Sequence, residues 1–245
     1  MAKQRAQDQE TPRAVDWTFV ETCLATAALR MIFLWGPPGV GKTFAGYRKG
    51  RIDQGVYSIT LTDETPAAEL RGMWMPDKDG YVWYDGPVVR AMRDGARVVV
   101  NEIGQASPDV LSFLLACCES RDSARLTLPN GDHVAPAESF NLVATSNDPP
   151  SSLPAALRDR FDCTIEISQP HPEALALLSD PLRNAALQTF DLSAERAISL
   201  RAWLKLEELL KEMEIFQACR AVFGEERGRK VHEALTMRQL SFGEA

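Results

Sequence analysis

The chain has 245 residues, 45% of them hydrophobic and 25% charged, an ordinary globular composition long enough for a sizeable core. A net charge of −7 argues against broad, nonspecific binding to nucleic acid. Five cysteines with no CxxC pair, and only three histidines, exclude a disulfide framework and a Cys/His metal site and fit a reducing cytoplasm.

Residues 1–14 are polar and aperiodic, which predicts a flexible terminus without the apolar region of a signal peptide. Apolar positions between Trp17 and Leu29 predict a helix. Met31 to Trp35 reads as a strand, and the apolar stretch from Leu24 to Trp35 is too short, and interrupted by Arg30, to span a bilayer. Val56 to Leu61 is a second strand, ending in polar Thr62-Asp63-Glu64. A short helix from Pro66 to Leu70 follows, then aromatic residues on both sides of Asp77-Lys78-Asp79-Gly80 predict a hairpin. Pro87 opens another helix. Arg97-Val98-Val99-Val100 suits a strand covered on both faces and ends in Asn101-Glu102. Ser107-Pro108-Asp109 is a helix start, and the helix runs to about Glu119. Arg125 to Val134 predicts a second hairpin closed at Asn130-Gly131. Phe140 to Thr145 is a fourth strand, Leu153 to Arg160 a helix and Cys163 to Ile167 a fifth strand.

Gln169-Pro170-His171-Pro172 breaks the pattern and marks an expected boundary. Beyond it the chain reads as helical: Glu173 to Leu178, a long helix from Ser193 to Glu214, a shorter one near Phe216 to Phe223, and a tail after Gly228. Alternating strands and helices predict an α/β fold: a five-stranded parallel sheet between helices over residues 15–170, with a small helical domain over 171–245.

The chemistry begins at Gly36-Pro37-Pro38-Gly39-Val40-Gly41-Lys42-Thr43, the phosphate-loop pattern in its strand–loop–helix setting. Its glycines let backbone N–H groups converge on one anion, at the positive end of the following helix. Lys42 would reach the β/γ-phosphates and Thr43 would ligate Mg²⁺, so the motif predicts a nucleoside triphosphate. In an open parallel sheet, ligands sit at the carboxyl ends of strands, where Asn101-Glu102, Asn147 and Thr62-Asp63-Glu64 also stand. There Glu102 can orient or activate a water, and Asn147 can hold that water or the γ-phosphate.

The run from Leu70 to Ala106, with Tyr81 to Met92 and Val98-Val99-Val100-Asn101-Glu102-Ile103-Gly104-Gln105-Ala106, resembles the MoxR-type AAA+ ATPases, a group allied to the dynein-related and McrB-like clade. Ala144-Thr145-Ser146-Asn147 looks like its sensor 1 strand, Leu153 to Phe161 like its arginine-finger helix, and Thr236-Met237-Arg238 matches the place of sensor 2. The resemblance covers about residues 17–240. It implies a helical lid over an ATP-hydrolysing P-loop sheet, in a ring, usually a hexamer, with ATP between subunits in the cytoplasm. Arg160, with Arg158 as second choice, would act as finger toward the neighbour. Arg238 would touch the phosphates in cis, and Asn101 would stand beside Thr43 at Mg²⁺. The hairpins match insertions that face the pore or a partner. A separate client or adaptor protein is implied, such as one with a von Willebrand factor A domain.

Two residues depart from the family pattern. Asn101 replaces the Asp before the catalytic Glu, which keeps an oxygen ligand but loses its charge, so weaker Mg²⁺ binding and slow turnover are expected. Gly104-Gln105 replaces an Asn-Arg pair. The rival readings are a nucleotide-gated ring scaffold with weak hydrolysis, and a nucleic-acid-linked NTPase of McrB type, against which the acidity counts. A small-molecule P-loop kinase would need neither sensor nor finger.

Overall fold

The computed structural model describes residues 17–120, 123–190 and 198–242, with the backbone alone for Phe190 and 237–242. In chain order come α1 (Trp17–Ala25), β1 (Met31–Trp35), α2 (Lys42–Arg48), β2 (Val56–Thr60), α3 (Ala67–Arg71), β3 (Gly72–Asp77) and β4 (Gly80–Asp85). Next are α4 (Pro87–Asp94), β5 (Arg97–Asn101), α5 (Pro108–Cys117), β6 (Leu126–Thr127), β7 (His133–Val134), β8 (Asn141–Ser146), α6 (Ala155–Arg158) and β9 (Cys163–Glu166). Five helices complete the described chain: α7 (Pro172–Leu175), α8 (Asp180–Phe190), α9 (Leu200–Leu209), α10 (Ile215–Phe223) and α11 (Glu225–Phe242).

The five expected strands form one sheet in the order β2-β5-β8-β1-β9, every pair parallel. The alternation of strand side chains divides its two faces. Phe33, Val98, Val100 and Leu142 pack against Leu70, Val88, Met92 and Leu114 on one side. Ile32, Leu34, Val143 and Ile165 pack against Val20, Leu24 and Ala45 of α1 and α2 on the other. Every residue of β5 and β8 is buried, as a strand covered on both faces requires.

Arg97 belongs to that buried set although it is charged, with 1% of its surface exposed. Its guanidinium donates to the carbonyls of Leu24 (3.0 Å), Gly46 (3.1 Å) and Lys49, and to Asn141 Oδ1 at 2.6 Å. These carbonyls belong to the last turns of α1 and α2, where backbone acceptors lack helical partners and the helix dipole is negative. Burial nevertheless lowers its pKa to about 10, and the nearby Arg51 charge adds to that.

The helices after β9 have a core of their own, in which Leu178, Leu182, Ala186, Trp203, Leu206 and Cys219 are buried together. Here the structure corrects several sequence boundaries. The helix expected over Ser193–Glu214 begins only at Leu200, with Ser199 as its cap accepting from Ala202 N, while residues 191–197 lie outside the described set. Asp180–Phe190 is an additional helix, and the supposed tail after Gly228 is the interior of α11. The first helix ends at Ala25, four residues before Leu29. The expected terminal stretch 1–14 lies outside the described residues.

Candidate functional site

The phosphate loop joins β1 to α2, and its first residue shows why glycine stands there. Gly36 has φ +141°, and a methyl on it would come 2.1 Å from the Ile167 carbonyl oxygen, a space no side chain can share. The loop closes on Lys42, whose ammonium donates to Gly36 O (2.7 Å), Pro37 O (2.8 Å) and Asn147 Oδ1 (3.0 Å). Burial lowers the Lys42 pKa to about 8, and the Glu102 carboxylate partly offsets that.

Asn147, just beyond β8, bridges two charges. Its Oδ1 accepts from Lys42, while its Nδ2 donates to Glu102 Oε1 (3.2 Å) and Oε2 (3.1 Å). Glu102 has φ 56° and ψ 44°, the left-handed region, alone among the described non-glycine residues. An observed strained backbone at a strand end is a pointer to function. Beside this line, Asn101 Oδ1 accepts from the hydroxyls of Thr43 (2.9 Å) and Thr145 (3.2 Å).

Lys42, Thr43, Glu102 and Asn147 open onto a cleft of about 350 Å³. One wall is Gly41, Lys42 and Thr43, the floor holds Glu102 and Asn147, and the far wall comes from the helical segment: Ala174, Leu177, Leu200, Arg201 and Leu204. The start of α9 reaches the loop so closely that a methyl on Gly39 would lie 2.9 Å from Ser199 Cβ. The cleft thus combines a polar, cation-bearing end with an apolar one, as a nucleotide would need.

The sequence candidates therefore divide. Lys42, Thr43, Asn101, Glu102 and Asn147 are brought together. Thr62-Asp63-Glu64 does not line the cleft; Thr62 and Thr65 hydrogen-bond each other in a turn. Arg160 and Arg158 also lie outside the cleft of their own chain. Arg160 donates to Glu119 Oε1 at 2.9 Å and to Asp159 Oδ2 at 3.4 Å, and the Glu119 hydrogen bond holds its pKa above the ordinary value. Arg158 is exposed, with no ion pair among the described residues. Arg238 falls near the end of α11, and its side chain lies outside the described set.

Among the charged residues of the cleft, Arg201 is the one that sequence reasoning missed. It is exposed at the start of α9, and its guanidinium has no hydrogen bond or ion pair among the described residues. The available signal was Ser199 as N-cap, which places Arg201 in a first helical turn rather than mid-helix.

The two hairpins form as expected. In the first, Trp74 and Trp83 face each other edge-on at 5.7 Å, Trp83 Nε1 donates to Asp85 at 2.7 Å, and Tyr81 remains 71% exposed. The second is short, with two residues per strand, and is tied to α4 by Arg93 and Asp132 at 2.8 Å.

Comparison with known proteins gives a family and a fold. The family described as AAA domain (dynein-related subfamily) matches residues 31–161, just over half of the chain. Protein NorQ of Paracoccus denitrificans is 31% identical over 146 residues, covering 58% of this chain and 53% of that protein. The denitrification regulatory protein NirQ of Pseudomonas aeruginosa is 32% identical over 117 residues, 47% of this chain and 45% of that one. The chain spans about half the length of these curated relatives. Among solved structures, NtrX from Brucella abortus in complex with ATP superposes with TM-score 0.53 at 11% identity, covering 81% of this chain and 51% of that one, a likeness of fold.

Proposed function

The chain belongs to the dynein-related subfamily of AAA domains, and on that premise we propose that it binds and hydrolyses Mg-ATP as a ring of identical subunits, six by the resemblance, that performs conformational work on a separate partner protein. The observation that carries this reading is the continuous contact Lys42–Asn147–Glu102 at the mouth of the phosphate loop. It sets a cation for the β/γ-phosphates beside a carboxylate that can take the proton of an attacking water. Asn147, touching both, would hold that water or the γ-phosphate in register. Arg201 would meet the phosphates from the helical segment, and Arg238 keeps the same assignment by resemblance.

The donor set fits Mg²⁺: Thr43 Oγ1 and Asn101 Oδ1 are hard oxygen donors 2.9 Å apart. Bound there, Mg²⁺ would neutralise phosphate charge; the chain's own contribution is to orient the two oxygens. Arg160 or Arg158 would complete the site of the adjacent subunit. Arg160 must first leave Glu119, whereas Arg158 needs no such exchange. The partner is expected to be a client or adaptor, such as a von Willebrand factor A domain protein, with the exposed aromatic hairpin as a contact surface.

Asn101 favours a second reading, a nucleotide-gated ring scaffold with weak hydrolysis. Its Oδ1 receives both threonine hydroxyls yet carries no charge to hold the metal. Equilibrium Mg-ATP binding and steady-state turnover decide between the two. An ATPase requires that Lys42→Met abolish binding and that Glu102→Gln keep binding while reducing turnover at least about a hundredfold. Tight binding with no turnover in the wild type would leave the scaffold.

A further inference from the structure

The segment joining β9 to the helical part runs against the back of the phosphate loop. His171 N donates to Val40 O at 2.8 Å, so the linker is tied to the loop by its backbone. The imidazole is 1% exposed and lies between Trp17, at 4.4 Å between ring centroids, and Phe44, at 5.0 Å. Trp17 is itself anchored to this linker through Nε1 to Gln169 O at 3.0 Å. Toward the loop, a methyl on Gly41 would come 2.8 Å from His171 Cβ. Toward the helices, His171 Nδ1 accepts the Glu173 N–H at 3.2 Å and so caps α7. One side chain therefore touches the phosphate loop and the first helical turn beyond the sheet.

Because Nδ1 accepts, the neutral ring carries its proton on Nε2. Nε2 has no hydrogen bond and faces Glu21 Oε1 at 3.6 Å. The charged groups around the ring are Glu21 from α1, Lys49 at the end of α2 and Glu173 from α7. Lys49 pairs with both carboxylates. Burial is the largest influence and holds the imidazole below its ordinary pKa, against the pull of Glu173 and Glu21.

We propose that His171 is a positioning residue that couples the phosphate loop to the helical segment: its neutral ring, wedged behind Gly41 and capping α7, keeps the loop in its nucleotide-accepting shape, and uptake of a proton releases it. A protonated Nδ1 would face the Glu173 N–H donor to donor. The cap is then lost, and the linker must move together with Val40. The proposal rests on the reading that the loop binds a nucleoside triphosphate.

Linkage makes this testable without a variant in the site. If protonation weakens nucleotide binding, nucleotide must lower the imidazole pKa by the logarithm of the same factor. The chain has three histidines, so His133→Gln and His232→Gln identify the His171 signal in an NMR titration by elimination. The expected result is a His171 midpoint below about 6.5 in the free protein that saturating Mg-ADP lowers by about half a unit or more, a threefold coupling. A readout of function accompanies it. His171→Asn, which preserves a cap acceptor but removes the ring, should weaken Mg-ADP binding several-fold at pH 7.5. His171→Phe, which preserves the ring but cannot accept the Glu173 N–H, should weaken binding by a similar factor and make it independent of pH between about 5.5 and 7.5, so wild-type affinity in this variant would overturn the role of the cap. Tight Mg-ADP binding that leaves the His171 midpoint in place overturns the coupling while the nucleotide reading survives. Failure of the wild type to bind Mg-ADP or Mg-ATP at any pH overturns the nucleotide reading, and the coupling with it.

Discussion

Asn101 is the residue on which the rate of the proposed reaction turns. Its neutral Oδ1 already satisfies two threonine hydroxyls, so Asn101→Asp changes the charge beside the metal position while preserving the acceptor geometry. The substitution should tighten apparent Mg²⁺ affinity by about tenfold, about 1.4 kcal/mol, and raise turnover. Metal-dependence curves of the two proteins that superimpose would remove Asn101 as the cause of slow turnover. Lys42 supplies the pH dependence. Its pKa near 8 means the ammonium is charged below that value and lost as pH rises through it. Triphosphate affinity should accordingly fall above about pH 8, and bound nucleotide should move the loss to higher pH. A flat affinity between pH 7 and 9.5 would contradict the role of this charge. Lys42 and Glu102 could be read from the sequence because motif and strand end specify them locally. Arg97 could not: its burial depends on the ends of two helices meeting at one point, which no local pattern records. Arg201 was obscured for a related reason, since its role depends on where its helix begins.

At the scale of elements, the strands were legible because a covered parallel strand is a short apolar run, and five such runs became the sheet. The helical segment was less so. In α8 the buried positions are Leu182, Ala185 and Ala186, too small and few for a strong period. In α11, Gly228 sits among charged residues and reads as a break. Its actual reason is close approach: a methyl there would lie 2.7 Å from the Cys219 carbonyl oxygen of α10. Gly228→Ala gains helix propensity yet must push the two helices apart. It should destabilise the protein by about 1–3 kcal/mol in urea unfolding, and a neutral or stabilising effect would show that the helices do not pack at that distance. The aromatic hairpin makes the opposite case. Tyr81→Ser, at a position 71% exposed, should leave stability within about 0.5 kcal/mol. Loss of partner binding without loss of stability would mark that hairpin as the contact surface.

In the whole molecule, the cleft lies between the sheet and the helices that follow it, with the loop touching Ser199 on one side and His171 on another. Occupancy of the cleft would therefore be felt by both parts of the chain, which is the physical basis of the conformational work proposed for it. The cleft of a single chain holds Lys42, Glu102, Asn147 and Arg201 but neither Arg158 nor Arg160. A neighbouring copy is the source the proposed mechanism requires for that last cation. The most direct test is Mg-ATP turnover as a function of protein concentration, with mass in solution measured alongside, for wild type, Arg158→Ala and Arg160→Ala. Turnover per subunit should rise as rings assemble, and one of the two variants should assemble and bind ATP yet lose turnover at least about a hundredfold. Turnover that is independent of concentration and survives both substitutions would contradict a shared site and leave an ATPase that works as a single chain.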